Sequence, residues 1–104
     1  MAIDEKLFDE THQILKVLSN LTRIKILYLL EDKPYNVSEI CAELGLEQSV
    51  VSHQLKILRE LQLVSATRVK KNNYYQLDDP HILQVINSAM GHAEHVIRGK
   101  KHGE

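Results

Sequence analysis

The residues best suited to chemistry lie near the end of the sequence, and they are Asp79, His81, His92 and His95. Carboxylates and imidazoles are ligands for divalent transition metals. An α-helix advances about 1.5 Å per residue, so one straight helix would hold His81 and His92 on the same face but about 16 Å apart. Since metal–nitrogen bonds are only about 2 Å long, one helix cannot bring all these rings to one ion. Two antiparallel copies can, and the pattern therefore predicts a metal site that forms only in a dimer.

The composition is that of a small soluble domain without an overall basic charge. The chain has 104 residues, 43% of them hydrophobic and 26% charged, and its net charge is −1. We expect a single domain over residues 1–104 whose contact with nucleic acid depends on local charge. No apolar run approaches membrane-spanning length, no signal peptide is evident, and Cys41 is the only cysteine. These features predict a cytoplasmic protein with no membrane contact and no disulfide of its own.

Three stretches have the periodicity of amphipathic helices. They are residues 4–18, residues 21–30 and a final helix over about residues 80–97. The first and last carry long apolar sides for so short a chain, and we expect these sides to form a surface for a partner. From Gly99 onward the sequence predicts a frayed basic tail that contains His102.

The centre of the chain has a helix-turn-helix pattern over residues 36–61. Asn36, followed three residues later by Glu39, is a capping-box pattern that begins a helix, and Gly45 ends it. A second helix then runs over about residues 48–61. Its outward face carries amide, hydroxyl, imidazole and ammonium groups that suit base edges and phosphates. These outward residues are Gln48, Ser49, Ser52, His53 and Lys56.

Residues 63–77 change to the alternation of a β-hairpin with a basic tip. Between positions 49 and 71 there are five basic residues against Glu60 alone, which gives a local charge of +4. A basic hairpin directly after a helix-turn-helix is typical of a wing that contacts DNA. The wing residues we expect to contact DNA are Arg68, Lys70 and Lys71.

Four segments together resemble the ArsR/SmtB winged-helix metalloregulators, and the likeness covers nearly the whole chain. The segments are residues 21–27 (LTRIKIL), residues 38–40 (SEI), residues 48–58 (QSVVSHQLKIL) and the final D-x-H-x10-H-x2-H pattern. The last pattern resembles the zinc- and cobalt-responsive branch typified by CzrA and SmtB.

The resemblance implies a mostly α fold with a small β-hairpin wing, that is, a winged helix-turn-helix. It implies a homodimer in which the first and last helices form the interface. The metal-free dimer would repress transcription by binding double-stranded operator DNA. Zn²⁺ between the last helices would lower the affinity for DNA and release genes for metal efflux. The resemblance implies no enzymatic activity and no small-molecule substrate.

The resemblance also implies roles for particular residues. The metal ligands at matching positions come from two protomers, Asp79 and His81 from one and His92 and His95 from the other. The base-reading side chains are Gln48, Ser49, Ser52 and His53. A ligand set of nitrogen and carboxylate without sulfur favours Zn²⁺, with Co²⁺ as an alternative. Asp78 is the rival of Asp79, and Ni²⁺ would require further ligands such as Glu94 or His102.

Two departures from the family pattern bear on function. Glu47 precedes the second helix of the pair where the family often has Ser, and it caps a helix less well. Residues 35–38 lack the Cys-x-Cys of the arsenic- and cadmium-responsive branch. The alternative function is a winged-helix regulator that responds to Ni²⁺, Co²⁺ or a non-metal signal, with zinc only structural. A zinc hydrolase is disfavoured because the spacing is not H-E-x-x-H and four protein ligands leave no position for water.

Overall fold

The computed structural model describes residues 2–101, which form five helices and three strands. The helices are α1 (Glu5–Leu18), α2 (Leu21–Leu30), α3 (Val37–Leu44), α4 (Gln48–Glu60) and α5 (His81–Lys101). The strands are β1 (Tyr35–Asn36), β2 (Val64–Val69) and β3 (Asn72–Leu77). This confirms the expected winged helix-turn-helix. None of the helices in the described part of the chain is long and apolar enough to cross a membrane.

Local capping explains where the helix-turn-helix begins and ends. Asn36 accepts a hydrogen bond from the backbone N–H of Glu39, whose side chain accepts one from the N–H of Asn36, so the predicted capping box is present. Gly45 ends α3 with a φ of 65°, a left-handed conformation that glycine adopts without strain. Glu47 precedes α4 and makes no side-chain hydrogen bond to it. The recognition helix of the pair, α4, is therefore the less firmly capped one.

The wing belongs to a three-stranded antiparallel sheet in the order β1-β3-β2. The hairpin of β2 and β3 pairs Val64 with Leu77 at its base and Val69 with Asn72 at its tip. The sequence did not predict β1, which pairs with β3 on the other side. Two residues are too few for a periodic signal, and only the pairing with β3 makes them a strand.

The hydrophobic core lies between α2, α3, α4 and the base of the wing. Its fully buried side chains are Ile26, Leu27, Ile40, Val51, Leu55 and Leu58. In contrast, α1 contributes only Val17 to the buried set, and α5 only Ile82 and Ile86. The other apolar residues of these two helices include several that are about half exposed, among them Leu7, Phe8, Leu15, Val85, Met90 and Ile97.

A partly buried arginine in α2 forms hydrogen bonds with both α1 and α4. The Nε of Arg23 in α2 donates a hydrogen bond to Oε1 of Gln54 in α4, at 2.6 Å. Its Nη1 donates to the carbonyl oxygen of Val17 near the end of α1, at 3.4 Å. These bonds set the position of α4 against the amino-terminal half of the molecule.

The final helix is longer than the sequence predicts. The sequence predicts that α5 ends near Ile97 and frays from Gly99, but the helix continues to Lys101. One glycine in a helix costs only about 1 kcal/mol, which a long helix absorbs, and basic residues near its end suit the helix dipole. His102 lies outside the described residues.

Candidate metal and DNA sites

Asp79 and His81 form a pair at the start of α5. Oδ1 of Asp79 accepts a hydrogen bond from the backbone N–H of His81 at 2.9 Å and lies 2.7 Å from the Nδ1 of the same residue. The side chains are 55% and 81% exposed, respectively. A carboxylate oxygen and an imidazole are thus held side by side and open to solvent.

The same hydrogen bonds stabilise the ionised form of the carboxylate. The backbone N–H of His81, first of all, and then its imidazole lower the pKa of Asp79 below its usual value. Asp79 therefore stays ionised to a lower pH than an ordinary carboxyl group, and a carboxylate must be ionised to bind a metal ion. The neighbouring residue, Asp78, is bonded through its backbone to the start of the wing, since its N–H donates to the carbonyl oxygen of Leu63 at 3.0 Å. The carboxylate that contacts His81 is that of Asp79.

The other two candidate ligands, His92 and His95, lie on a later part of α5 and are exposed. They are one helical turn apart, and the rise of a continuous helix separates His92 from His81 by about 16 Å. Within residues 2–101, no three His, Cys, Asp or Glu side chains come together closely enough to hold a metal ion. A single chain thus divides the four predicted ligands into two pairs.

The chemistry of these two pairs fits a borderline metal ion. Together they offer one carboxylate and three imidazoles, which are ligands that zinc and cobalt accept. Thiolate is not part of the set, because Cys41 packs against the hydrophobic core. The residues present therefore suit Zn²⁺ or Co²⁺, provided that a second copy completes the set.

The structure exposes every residue predicted to contact DNA. Along α4 these are Gln48, Ser49, Ser52, His53 and Lys56, on the face away from the core. In the wing they are Arg68, Lys70 and Lys71. In the described part of the chain the ion pairs are Asp79–His81 and Glu94–Arg98, so these basic groups have no acidic partner there.

The structure adds two residues that the sequence reasoning did not assign. A polar cleft of about 430 Å³ lies between α4 and β3, and its lining includes Arg59 and Tyr75 together with Ser52, Lys56 and Glu60. In the sequence, Arg59 is recognisable only as one of the five basic residues that give the region its local charge. The periodicity of α4 predicts which side of the helix faces outward, but no local pattern predicts that Tyr75 lies next to α4.

A second, apolar groove of about 430 Å³ runs between α1 and α5. Leu15 and Leu18 line one side of it, and Val85 and Met90 line the other. This groove lies on the apolar surface of α1 and α5, which the sequence predicts to bind a partner.

Comparison with known proteins agrees with this architecture. The model of the family described as "Bacterial regulatory protein, arsR family" matches residues 20–66. The transcriptional regulator NmtR of Mycobacterium tuberculosis is 35% identical over 97 residues, which cover 93% of this chain and 81% of NmtR. A transcriptional repressor SmtB homolog of Synechocystis is 29% identical over 94 residues, covering 90% of this chain and 70% of the homolog.

A solved structure has the same fold. It is the solution structure of a homodimeric winged helix-turn-helix DNA-binding domain, Mb0332 from Mycobacterium bovis, with a TM-score of 0.78 and 26% identity. The match covers 90% of this chain and 91% of that one. The chain therefore belongs to the arsR family of bacterial regulatory proteins, and it is a winged-helix transcriptional regulator that binds DNA rather than an enzyme.

Proposed function

We propose that this protein is a metal-responsive repressor whose metal-free homodimer binds operator DNA and which Zn²⁺ releases from that DNA. The observation that carries the proposal is the division of the candidate ligands along α5. The Asp79–His81 pair stands at one end, and His92 and His95 stand about 16 Å and about 21 Å further along the helix. Neither pair is a complete zinc site, and each complements the other in number and chemistry.

The shape of the chain supports a dimer. Its exposed surface is 7739 Å², roughly 1,700 Å² more than a folded monomer of this length exposes. Its radius of gyration is 16.0 Å, against about 13 Å for a compact domain of similar length. Half-exposed apolar residues of α1 and α5 account for part of this excess. We propose that these two helices form the dimer interface.

An antiparallel approach of the two α5 helices would complete the site. Asp79 and His81 of one chain would then lie beside His92 and His95 of the partner subunit, and two-fold symmetry would repeat the arrangement. When bound, zinc would supply a fixed link between the two helices. The exposure of all four side chains leaves them free to move into that arrangement.

Release of DNA requires the bound metal to favour one arrangement of the dimer over another. A hydrogen bond connects the two regions concerned, since the N–H of Asp78, next to Asp79, donates to the carbonyl of Leu63 just after α4. Between α4 and Leu63, Gln62 has a φ of 58°, which is uncommon for a residue with a side chain. The family resemblance further implies that a ligand histidine bonds a backbone carbonyl near Gln62. We propose that this junction carries the signal to α4.

The test measures DNA binding with and without metal. Fluorescence anisotropy follows the dimer on a duplex from upstream of its own gene, at fixed salt, with Zn²⁺, Co²⁺ or Ni²⁺ added. A typical allosteric coupling of about 1–3 kcal/mol predicts a five- to 150-fold loss of affinity with Zn²⁺. The His92→Gln variant should bind DNA as the metal-free protein does and ignore zinc, whereas the control His12→Gln should respond normally.

Two results would count against the proposal. If His92→Gln still leaves DNA on zinc addition, the ligand assignment is wrong. If wild-type protein binds DNA tightly and responds to Ni²⁺ but not to Zn²⁺, the alternative of another metal replaces it.

A further inference from the structure

We propose that the polar cleft between α4 and β3 binds a phosphodiester group of the DNA backbone, with Arg59 and Lys56 as its cations and Tyr75 as a neutral donor. The proposal rests on DNA binding by the winged helix and deepens it. It assigns a phosphate-holding site that shares only Ser52 with the expected base-reading residues of α4.

The cleft is built from two rigid elements. Ser52, Lys56 and Arg59 follow one another at steps of four and three residues, so they share one face of α4. Tyr75 stands opposite on β3, the middle strand, where it pairs with Tyr35 of β1 and Ala66 of β2. Pairing with a strand on each side fixes the backbone of Tyr75 in the wall of the cleft.

The charges in the cleft favour an anion. In the described part of the chain, neither Lys56 nor Arg59 has a carboxylate within ion-pairing distance. Arginine presents a planar fork of N–H donors that matches phosphate oxygens, and the hydroxyls of Ser52 and Tyr75 add neutral donors. Glu60 also lines the cleft and would repel the phosphate.

The position of the cleft points to DNA as the source of that phosphate. It shares Ser52 and Lys56 with the outward face of α4, and β3 leads directly to the basic wing tip. A duplex read by the first turns of α4 would therefore run its backbone past the cleft toward Lys70 and Lys71. Phosphate contacts of this kind position a protein on DNA without carrying sequence information.

The salt dependence of binding tests the cleft. Each phosphate contact contributes about 0.9 to the slope of log affinity against log salt, so a dimer with both clefts occupied loses about 1.8 in Arg59→Gln. Anisotropy on the operator duplex and on a duplex of unrelated sequence, each from about 0.05 to 0.2 M salt, gives both slopes. We expect the affinity of Arg59→Gln to fall by a similar factor on both duplexes. Lys25→Gln, which removes an exposed cation of α2 that lines a different groove, should leave both slopes unchanged.

Two further variants separate charge from hydrogen bonding. Tyr75→Phe should weaken binding to both duplexes without changing the slope, because it removes a neutral donor and releases no counterion. Glu60→Gln should tighten binding, because it removes the repelling charge. Thermal unfolding of each variant confirms that the fold is intact.

The outcomes that would overturn the proposal differ from those that affect the repressor function. If wild-type protein binds DNA and Arg59→Gln keeps the full salt slope, Arg59 contacts no phosphate and the proposed site is wrong. If Arg59→Gln weakens only the operator complex, the residue reads bases instead. Either result leaves zinc-dependent release untouched, whereas a wild-type protein that binds DNA but ignores zinc would contradict zinc-dependent release and leave the phosphate site in the cleft unaffected.

Discussion

At the scale of single residues, hydrogen bonds shift the pKa of individual side chains. The N–H of His81 lowers the pKa of Asp79, and both contacts of Asp79 with that residue are made by Oδ1. One carboxylate thus serves as a helix cap and as a candidate ligand. Tyr35 shows the opposite effect, because its hydroxyl donates to Oδ2 of Asp32 at 2.8 Å, and this carboxylate raises the pKa of Tyr35 to about 12.

The raised pKa of Tyr35 predicts a pH dependence of stability. The unfolded chain loses this proton near the ordinary tyrosine pKa of about 10. The contribution to stability is therefore fully present below pH 10 and is lost as the pH rises toward 12. We expect Tyr35→Phe to unfold at a lower temperature at pH 8 and to lose less stability than wild type between pH 8 and pH 11.

Thermal unfolding of the metal-free protein at both pH values measures this difference. The control is Tyr28→Phe, at an exposed tyrosine of α2. Equal losses in Tyr35→Phe and wild type would show that the Asp32 contact does not govern the titration.

At the scale of secondary structure elements, the two helices of the helix-turn-helix differ in how they begin. The start of α3 has a reciprocal capping box between Asn36 and Glu39. The start of α4 has Glu47, which makes no capping hydrogen bond and places a negative charge beside the DNA-facing residues. Glu47 therefore lowers both the stability of the recognition helix and its electrostatic attraction to DNA.

The change Glu47→Ser should raise both the free energy of unfolding and the affinity for DNA. A serine cap is worth about 1 kcal/mol in the free energy of unfolding, and removal of the charge should tighten binding to any duplex. Urea unfolding at matched protein concentration measures the first effect, and anisotropy measures the second. Glu43→Ser, at an exposed position of α3, serves as the control. A Glu47→Ser protein no more stable than wild type would mean that other contacts already satisfy the start of α4.

At the scale of the whole molecule, the open shape and the division of the candidate ligands into two pairs both favour a dimer. The side chains that α2, α3 and α4 contribute to the core are fully buried, whereas many apolar side chains of α1 and α5 are exposed. The same helix, α5, carries the half-exposed apolar side and, together with Asp79 just before it, both ligand pairs. Dimer formation and completion of the metal site would thus be one event.

Mixing two defective variants tests this directly. A chain with Asp79→Ala and His81→Ala retains only the second ligand pair, and a chain with His92→Ala and His95→Ala retains only the first. Each alone should bind no Co²⁺ tightly. After random exchange, half of the dimers are mixed, and each has one intact site, so binding should return to about one ion per four chains.

Visible absorption of bound Co²⁺ measures the recovery. Each variant alone should remain dimeric in analytical ultracentrifugation, which shows that its substitutions leave the dimer intact. The two variants are unfolded together and refolded so that their subunits mix, and a mixture that still binds no cobalt would contradict a site shared between subunits.

The sequence by itself determined the features that depend on neighbouring residues. The periodicity of apolar side chains predicted α1, α2 and α5, the helix-turn-helix pattern predicted α3 and α4, and the alternation over residues 63–77 predicted the wing. Asn36 and Gly45 marked the ends of α3, since capping depends on residues only a few positions apart. The types and spacing of Asp79, His81 and the later histidines likewise predicted that one helix cannot hold the metal.

Only the tertiary structure decided what depends on residues far apart in the chain. It brings Arg59 and Tyr75 to one cleft, bonds Arg23 to Gln54, and turns Tyr35 and Asn36 into a strand. It also decides which apolar residues of α1 and α5 remain exposed. The physical reason is that such contacts follow from how packed elements meet, and the path of the chain between them is set by burial of the whole core rather than by any local pattern.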